Sequence, residues 1–171
     1  VDDLRHASLV LSVLLGGGMT SRLFEQVREK RGLAYSVNTT SQGYSDCGIF
    51  YVDAGIAPEN TEETFKVIIG EIKKVKNDLS KEELESSKEL IRGRMMMRYE
   101  DSRAIAMNYG IQHLLNNRIV SIEESLEMLK KVSLKDIIDA YEYIFNNSTV
   151  IASVAGSVDN IPNLTKNSQI F

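Results

Sequence analysis

The chain has 171 residues, 43% of them hydrophobic, which is enough for one substantial core and too little for two domains. Its 20 Lys and Arg against 24 Asp and Glu leave a formal net charge of -4, so it offers no electrostatic footprint to nucleic acid or to an anionic membrane. No apolar run approaches the roughly 20 residues a membrane helix needs, and the single cysteine, Cys47, rules out an internal disulfide and fits a reducing, cytoplasmic setting.

Val1 opens directly into a helical pattern, as expected of a piece of a larger protein whose own targeting segment would lie upstream. Leu4, Ala7, Leu11, Leu14 and Leu15 keep helical spacing until Gly16, Gly17 and Gly18 stop the helix; these glycines read as a hinge or a point of tight backbone approach. Thr20 or Ser21 is placed to cap a short second helix with Leu23, Phe24 and Val27 on its apolar face. Lys30 and Arg31 then suit the negative end of its dipole and Gly32 the C′ position. From Leu33 the pattern alternates, putting Leu33, Tyr35, Val37 and Thr39 on one face and Ala34, Ser36 and Asn38 on the other. Turn residues from Gly43 to Asp46 and a β-branched, aromatic run from Ile49 to Ile56 complete an antiparallel hairpin.

Beyond Pro58, Asn60 with Glu63 predicts a capping box for a helix whose stripe is Phe65, Ile68, Ile69, Ile72 and Val75. Ser80 with Glu83 repeats the signal for a helix through Leu84, Ile91 and Met95, bent near Asp101 and Ser102 and resuming through Ile105, Ile111, Leu114 and Leu115. Ser121 and Ser133 cap two shorter helices, with Glu124 and Asp136 in their first turns. Thr149 to Ala155 predicts a last buried strand. Residues 1–158 then form a single α+β domain, a mixed or mainly antiparallel sheet with helices packed on one face, and 159–171 a polar tail. Three strands are few for so many helices, and another strand upstream of Val1 would complete the sheet.

The chemistry-bearing residues are sparse. A zinc hydrolase needs clustered ligands and a nearby carboxylate, yet His6 and His113 each lack a second histidine at helical spacing and an H-x-x-E-H arrangement, so no metal site is expected in this chain. The glycine run lacks the lysine of a phosphate loop. Cys47 has no histidine or cysteine companion and reads as a packed thiol. Arg28, late in the short helix, and Tyr35, early in the strand, lie on consecutive elements joined by Gly32. Two readings are open for them: Arg28 pairs with Glu25 or Glu29 while Tyr35 packs its ring, or the two hold a peptide carbonyl and the charge that develops on it.

The run G-G-G-M-T-S-R-L-F over Gly16 to Phe24, followed by R-E-K-R-G-L-A-Y over Arg28 to Tyr35, resembles the opening of the second half of pitrilysin/insulinase-type zinc metallopeptidases, the group that includes mitochondrial processing peptidase. The Ser80 to Glu85 start, Arg92-Gly93-Arg94 and the Ser133 to Ile137 start are similar to that half as well. The resemblance implies a C-terminal, substrate-binding domain of a zinc metalloendopeptidase in which two related halves enclose a chamber. Zinc would be bound by the absent N-terminal half and by no residue here. The implied partners are a peptide substrate, that N-terminal half and a homo- or heterodimer mate, with no nucleic acid and no membrane. Arg28 and Tyr35 match the family's substrate-binding arginine and tyrosine, which favours the second reading of the pair. The alternative is a noncatalytic structural or partner subunit of the same fold.

Overall fold

A computed structural model describes residues 2–44, 46–146 and 150–156. Helix α1 (Asp2–Gly16) leads through a short helical turn to strand β1 (Ala34–Gly43), which pairs antiparallel with β2 (Gly48–Ile56). Five helices come after the hairpin: α2 (Thr61–Asp78), α3 (Lys81–Arg98), α4 (Ser102–Asn116), α5 (Ile122–Lys131) and α6 (Leu134–Asn146). The fold is α+β, with an antiparallel hairpin carrying helices on one face.

The core is built on α1. Its Ala7, Val10, Leu11, Leu14 and Leu15 are buried against Val37 of β1 and against α3 and α6. Leu11, Leu15, Leu23 and Ile137 are fully enclosed, and each such side chain contributes about 1.5–3 kcal/mol relative to an exposed position. The inner face of β2 joins the same core through Phe50, Val52, Ala54 and Ile56, with Phe50 meeting Phe145 of α6 edge-on at 5.3 Å. Asn38, Gln42, Ile49, Tyr51 and Asp53 face outward, away from the helices.

Helix starts obey the sequence signals in part. Ser80 and Glu83 form the expected reciprocal box, Ser121 accepts from Glu124 N–H, and Asp136 takes the role of Glu in a box with Ser133. Asn60 does not cap α2; its side-chain amide donates instead to the Leu33 carbonyl at 3.3 Å, tying the helix start to the entry of β1. Ser21 likewise turns its hydroxyl back to the Gly18 carbonyl at 2.6 Å. The bend expected near Asp101 is a full break, because Asp101 leaves helical geometry and accepts from Arg103 N–H to start α4.

Three expectations are corrected. Residues 150–155 form no strand and are exposed, because among the described residues no strand beyond the β1–β2 pair offers them a ladder; Thr149 lies outside the described residues. Cys47 is exposed, not packed, because it falls in the hairpin turn where Tyr44 N–H donates to its carbonyl; partial desolvation of the sulfur and the nearby Asp46 carboxylate push the thiol pKa up. Ile111, Leu114 and Leu115 do not continue the core, since none of the residues of α4 is buried. The tail at 159–171 lies outside the described residues.

Candidate functional site

The path to Arg28 and Tyr35 starts where α1 ends. Gly16 lies directly on β1: a Cβ there would stand 2.3 Å from Thr39 Oγ1, 2.7 Å from Thr39 N and 3.0 Å from the Asn38 carbonyl carbon. Only glycine lets the helix end approach the strand backbone so closely. Gly17 is crowded by its own helix, with Val13 Cα 2.5 Å from the same virtual position, and Gly18 by the Leu90 side chain at 2.8 Å. The Gly17 carbonyl accepts from the Arg94 guanidinium of α3 and the Gly18 carbonyl from Ser21, so both carbonyls of this segment are engaged.

Arg22 anchors the short helical turn beyond these glycines. Its guanidinium holds Glu83 through two parallel bonds at 2.6 and 2.8 Å and Asp78 at 2.5 Å. The same Glu83 carboxylate accepts from Ser80 N–H at 3.0 Å, so one group caps α3 and fixes the turn to the α2–α3 junction. Burial works against ionisation of both partners. Hydrogen bonds from Arg22 and the Ser80 N–H nevertheless hold the Glu83 carboxyl below the usual carboxylate range, and the two carboxylates raise the Arg22 pKa. The sequence pattern does not single out Arg22 because its partners lie 56 and 61 residues away; a lone arginine gives no local sign of so distant a pair.

Past Leu23 the turn widens. Phe24–Glu29 is π-helical, with the Lys30 N–H reaching back to the Glu25 carbonyl at 2.9 Å. Gly32 then takes a left-handed φ of 61°, its N–H bonded to the Arg28 carbonyl and the Leu33 N–H to that of Val27. The hairpin begins with a bulge: Ala34 pairs with Ile56 and Ser36 with Gly55, leaving Tyr35 as the extra residue. The alternation expected from sequence therefore breaks at its first step. Ala34, Val37 and Thr39 point inward, while Tyr35 points out and is 86% exposed.

The widened turn and the bulge together bring Arg28 and Tyr35 side by side. The exposed Arg28 guanidinium lies 4.8 Å from the Phe24 ring centroid and 5.8 Å from that of Tyr35. Stacking of this kind is worth about 0.5–1 kcal/mol at an exposed site and steers the planar head without occupying its N–H edge. Neighbouring charges are engaged elsewhere: Glu25 pairs with Lys30 at 2.8 Å, and Arg31 donates to the carbonyl and side chain of Gln26. Among the described residues no carboxylate is paired with Arg28. The arrangement is an always-charged donor set beside a neutral phenol donor on an exposed ledge, which suits a carbonyl or carboxylate oxygen.

His6 lies on α1 and His113 in the last turn of α4. Among the described residues no group of three or more His, Cys, Asp or Glu is arranged to hold a metal ion.

The family model described as the peptidase M16 inactive domain matches residues 2–91. The chain is 36% identical over 137 residues to an uncharacterized zinc protease of Streptomyces coelicolor, covering 80% of this chain and 30% of that protein. It is 32% identical over 149 residues to an uncharacterized zinc protease of Rickettsia bellii, covering 87% and 36% respectively. Among solved structures, a peptidase M16 inactive domain from Pseudomonas fluorescens superposes with a TM-score of 0.71 at 25% identity, over 81% of this chain and 34% of that one. The chain thus spans about a third of the length of the curated relatives it matches.

Proposed function

Since the chain belongs to the peptidase M16 family and corresponds to its C-terminal, inactive domain, we propose that it is the substrate-binding half of a zinc metalloendopeptidase whose metal site lies in the portion outside this chain. Residues 1–158 act as one domain in this reading, which faces the metal-binding half across a chamber in a cytoplasmic enzyme. Zinc supplies the activated water and polarises the scissile carbonyl when bound there. This domain supplies the donors. Arg28 takes a peptide oxygen on its free guanidinium edge, and the Tyr35 hydroxyl donates to the same region, where negative charge grows as the carbonyl is attacked. Of the two roles open to Gly16, Gly17 and Gly18, hinge or tight backbone approach, the close contact of Gly16 with β1 supports the second, which fixes where this ledge sits.

The single observation behind the reading is that Arg28 and Tyr35 stand exposed and adjacent, the guanidinium stacked on the rings with no ion pair among the described residues. Arg28→Lys separates positioning from charge. In the full-length protein it keeps the cation but loses the planar fork, so peptide hydrolysis should fall with zinc content unchanged, and Arg28→Ala should lose more, through a raised KM and a lowered kcat. Wild-type kinetics for both variants would remove Arg28 from the site. A full-length protein that binds no zinc and cleaves no peptide would favour the noncatalytic partner subunit.

A further inference from the structure

The two rings against which the Arg28 guanidinium stacks, Phe24 at 4.8 Å and Tyr35 at 5.8 Å, are held in different ways. Tyr35 is 86% exposed and stands on the bulge that opens β1. Phe24 is half-buried and packs on the hydrophobic core. It directly follows Leu23, which is fully enclosed, and Arg22, whose guanidinium is clamped by Glu83 and Asp78. Its backbone and its ring are therefore both fixed from behind. Residues four apart are neighbours on a helix surface, and the π-helical turn from Phe24 to Glu29 keeps Phe24 and Arg28 in that relation. Of the two faces the guanidinium meets, the nearer belongs to the protein's interior and the farther to a side chain in solvent. With no carboxylate paired to Arg28 among the described residues, its direction is set by these faces and not by an ion pair.

Resting on the reading of Arg28 as a donor to the peptide, we propose that Phe24 is a positioning residue: its core-anchored ring aims the Arg28 guanidinium at the substrate oxygen without touching substrate itself. An arginine side chain has large rotamer entropy, and its planar fork serves an oxygen only when the N–H edge faces it. A fixed ring face under the guanidinium plane removes many of the other rotamers and leaves that edge free. Cation–π contact at an exposed site favours the stacked head about two- to fivefold. Loss of the ring lowers the fraction of correctly aimed guanidinium by that factor, and kcat/KM with it. Phe24→Leu keeps an apolar side chain on the core and loses the π face, whereas Phe24→Tyr keeps the face.

A double-mutant cycle in the full-length protein tests this, with kcat and KM for a fluorogenic peptide, zinc content and Tm read on each variant. Phe24→Leu should lower kcat/KM about two- to fivefold with zinc content unchanged, and Phe24→Tyr should keep wild-type values. In an Arg28→Ala background Phe24→Leu should change kcat/KM no further, because a ring that acts only through Arg28 has nothing left to aim. A ring needed for packing alone would cost the same factor in both backgrounds, and that result overturns the proposal. Wild-type kcat/KM for Phe24→Leu beside an impaired Arg28→Ala overturns it equally and leaves Arg28 standing as the donor. Phe24→Met provides a second variant without the ring should the first fail to fold. Arg28→Ala with wild-type kinetics, or a wild-type protein that cleaves no peptide, removes the substrate-binding reading and the role of Phe24 together.

Discussion

Replacing Gly16 by alanine places a methyl carbon where three atoms of β1 already stand, the nearest 2.3 Å away against an ordinary contact of 3.4–4 Å. Two of the three are backbone atoms, Thr39 N and the Asn38 carbonyl carbon, so no rotamer change relieves them. The strand is held by its ladder to β2 from Ser36 and Gly55 to Gly43 and Gly48, so α1 must give way by about 1 Å and open the packing of Leu11 and Leu15 against Val37. Overpacking without a flexible neighbour costs about 2–3 kcal/mol, which in a chain of this size lowers Tm by about 4–12 °C. Thr39→Ala alone should be nearly neutral, because the buried Thr39 Oγ1 has no hydrogen-bond partner. Combined with Gly16→Ala it should recover only part of the loss, since the 2.7 Å contact with Thr39 N remains. Gly18→Ala, which meets only the tip of Leu90, should cost less than either backbone-limited change at Gly16 or Gly17. Urea and thermal unfolding of these variants, Gly17→Ala included, rank them. A Gly16→Ala protein as stable as wild type would refute the close approach of α1 to β1.

Glu83→Gln should flatten the acid limb of stability: the folded carboxyl has a lowered pKa, so its contribution is complete above the unfolded value of about 4.3 and is lost as pH falls through the folded one. A wild-type acid limb in the variant would deny the Arg22 to Glu83 clamp that role. Arg22→Ala should cost about 1.5–3 kcal/mol at neutral pH, the range for charged hydrogen bonds, and no more, because Asp78 and Glu83 retain access to water; a larger loss in urea melts would mean the clamp is buried more deeply than its geometry indicates. The purified chain should retain no stoichiometric zinc after dialysis. One bound zinc lost on His6→Ala or His113→Ala would reverse the absence of a ligand set in this half.

The hairpin, the helix order and three of the helix starts were legible because each rests on local signals: turn residues, β-branched alternation, and Ser followed three residues later by an acidic side chain. Arg28 and Tyr35 were legible as a pair of neighbours on consecutive elements, but not in their orientation. A bulge adds one residue without altering composition, so the alternation through Leu33, Tyr35 and Val37 assigned Tyr35 to the wrong face. The side chain of Asn60 found a better acceptor in the Leu33 carbonyl than its own helix offered, a tertiary choice that a capping motif does not reveal. Leu114 and Leu115 showed the limit of periodicity: an apolar stripe marks a surface to be covered without saying whether this chain covers it.

In the proposed function Tyr35 donates a hydrogen bond where charge develops on the scissile carbonyl. Tyr35→Phe in the full-length protein isolates that bond: it removes one hydroxyl from a side chain that is 86% exposed, leaving the ring that Arg28 stacks on. Steady-state hydrolysis of a fluorogenic peptide, with zinc content and Tm measured in parallel, should show kcat lowered about ten- to a thousandfold. KM should change little and both controls should hold, because the donor acts on the transition state more than on bound substrate. A Tyr35→Phe enzyme with wild-type kcat on the same peptide would show that the hydroxyl gives no such bond in the transition state.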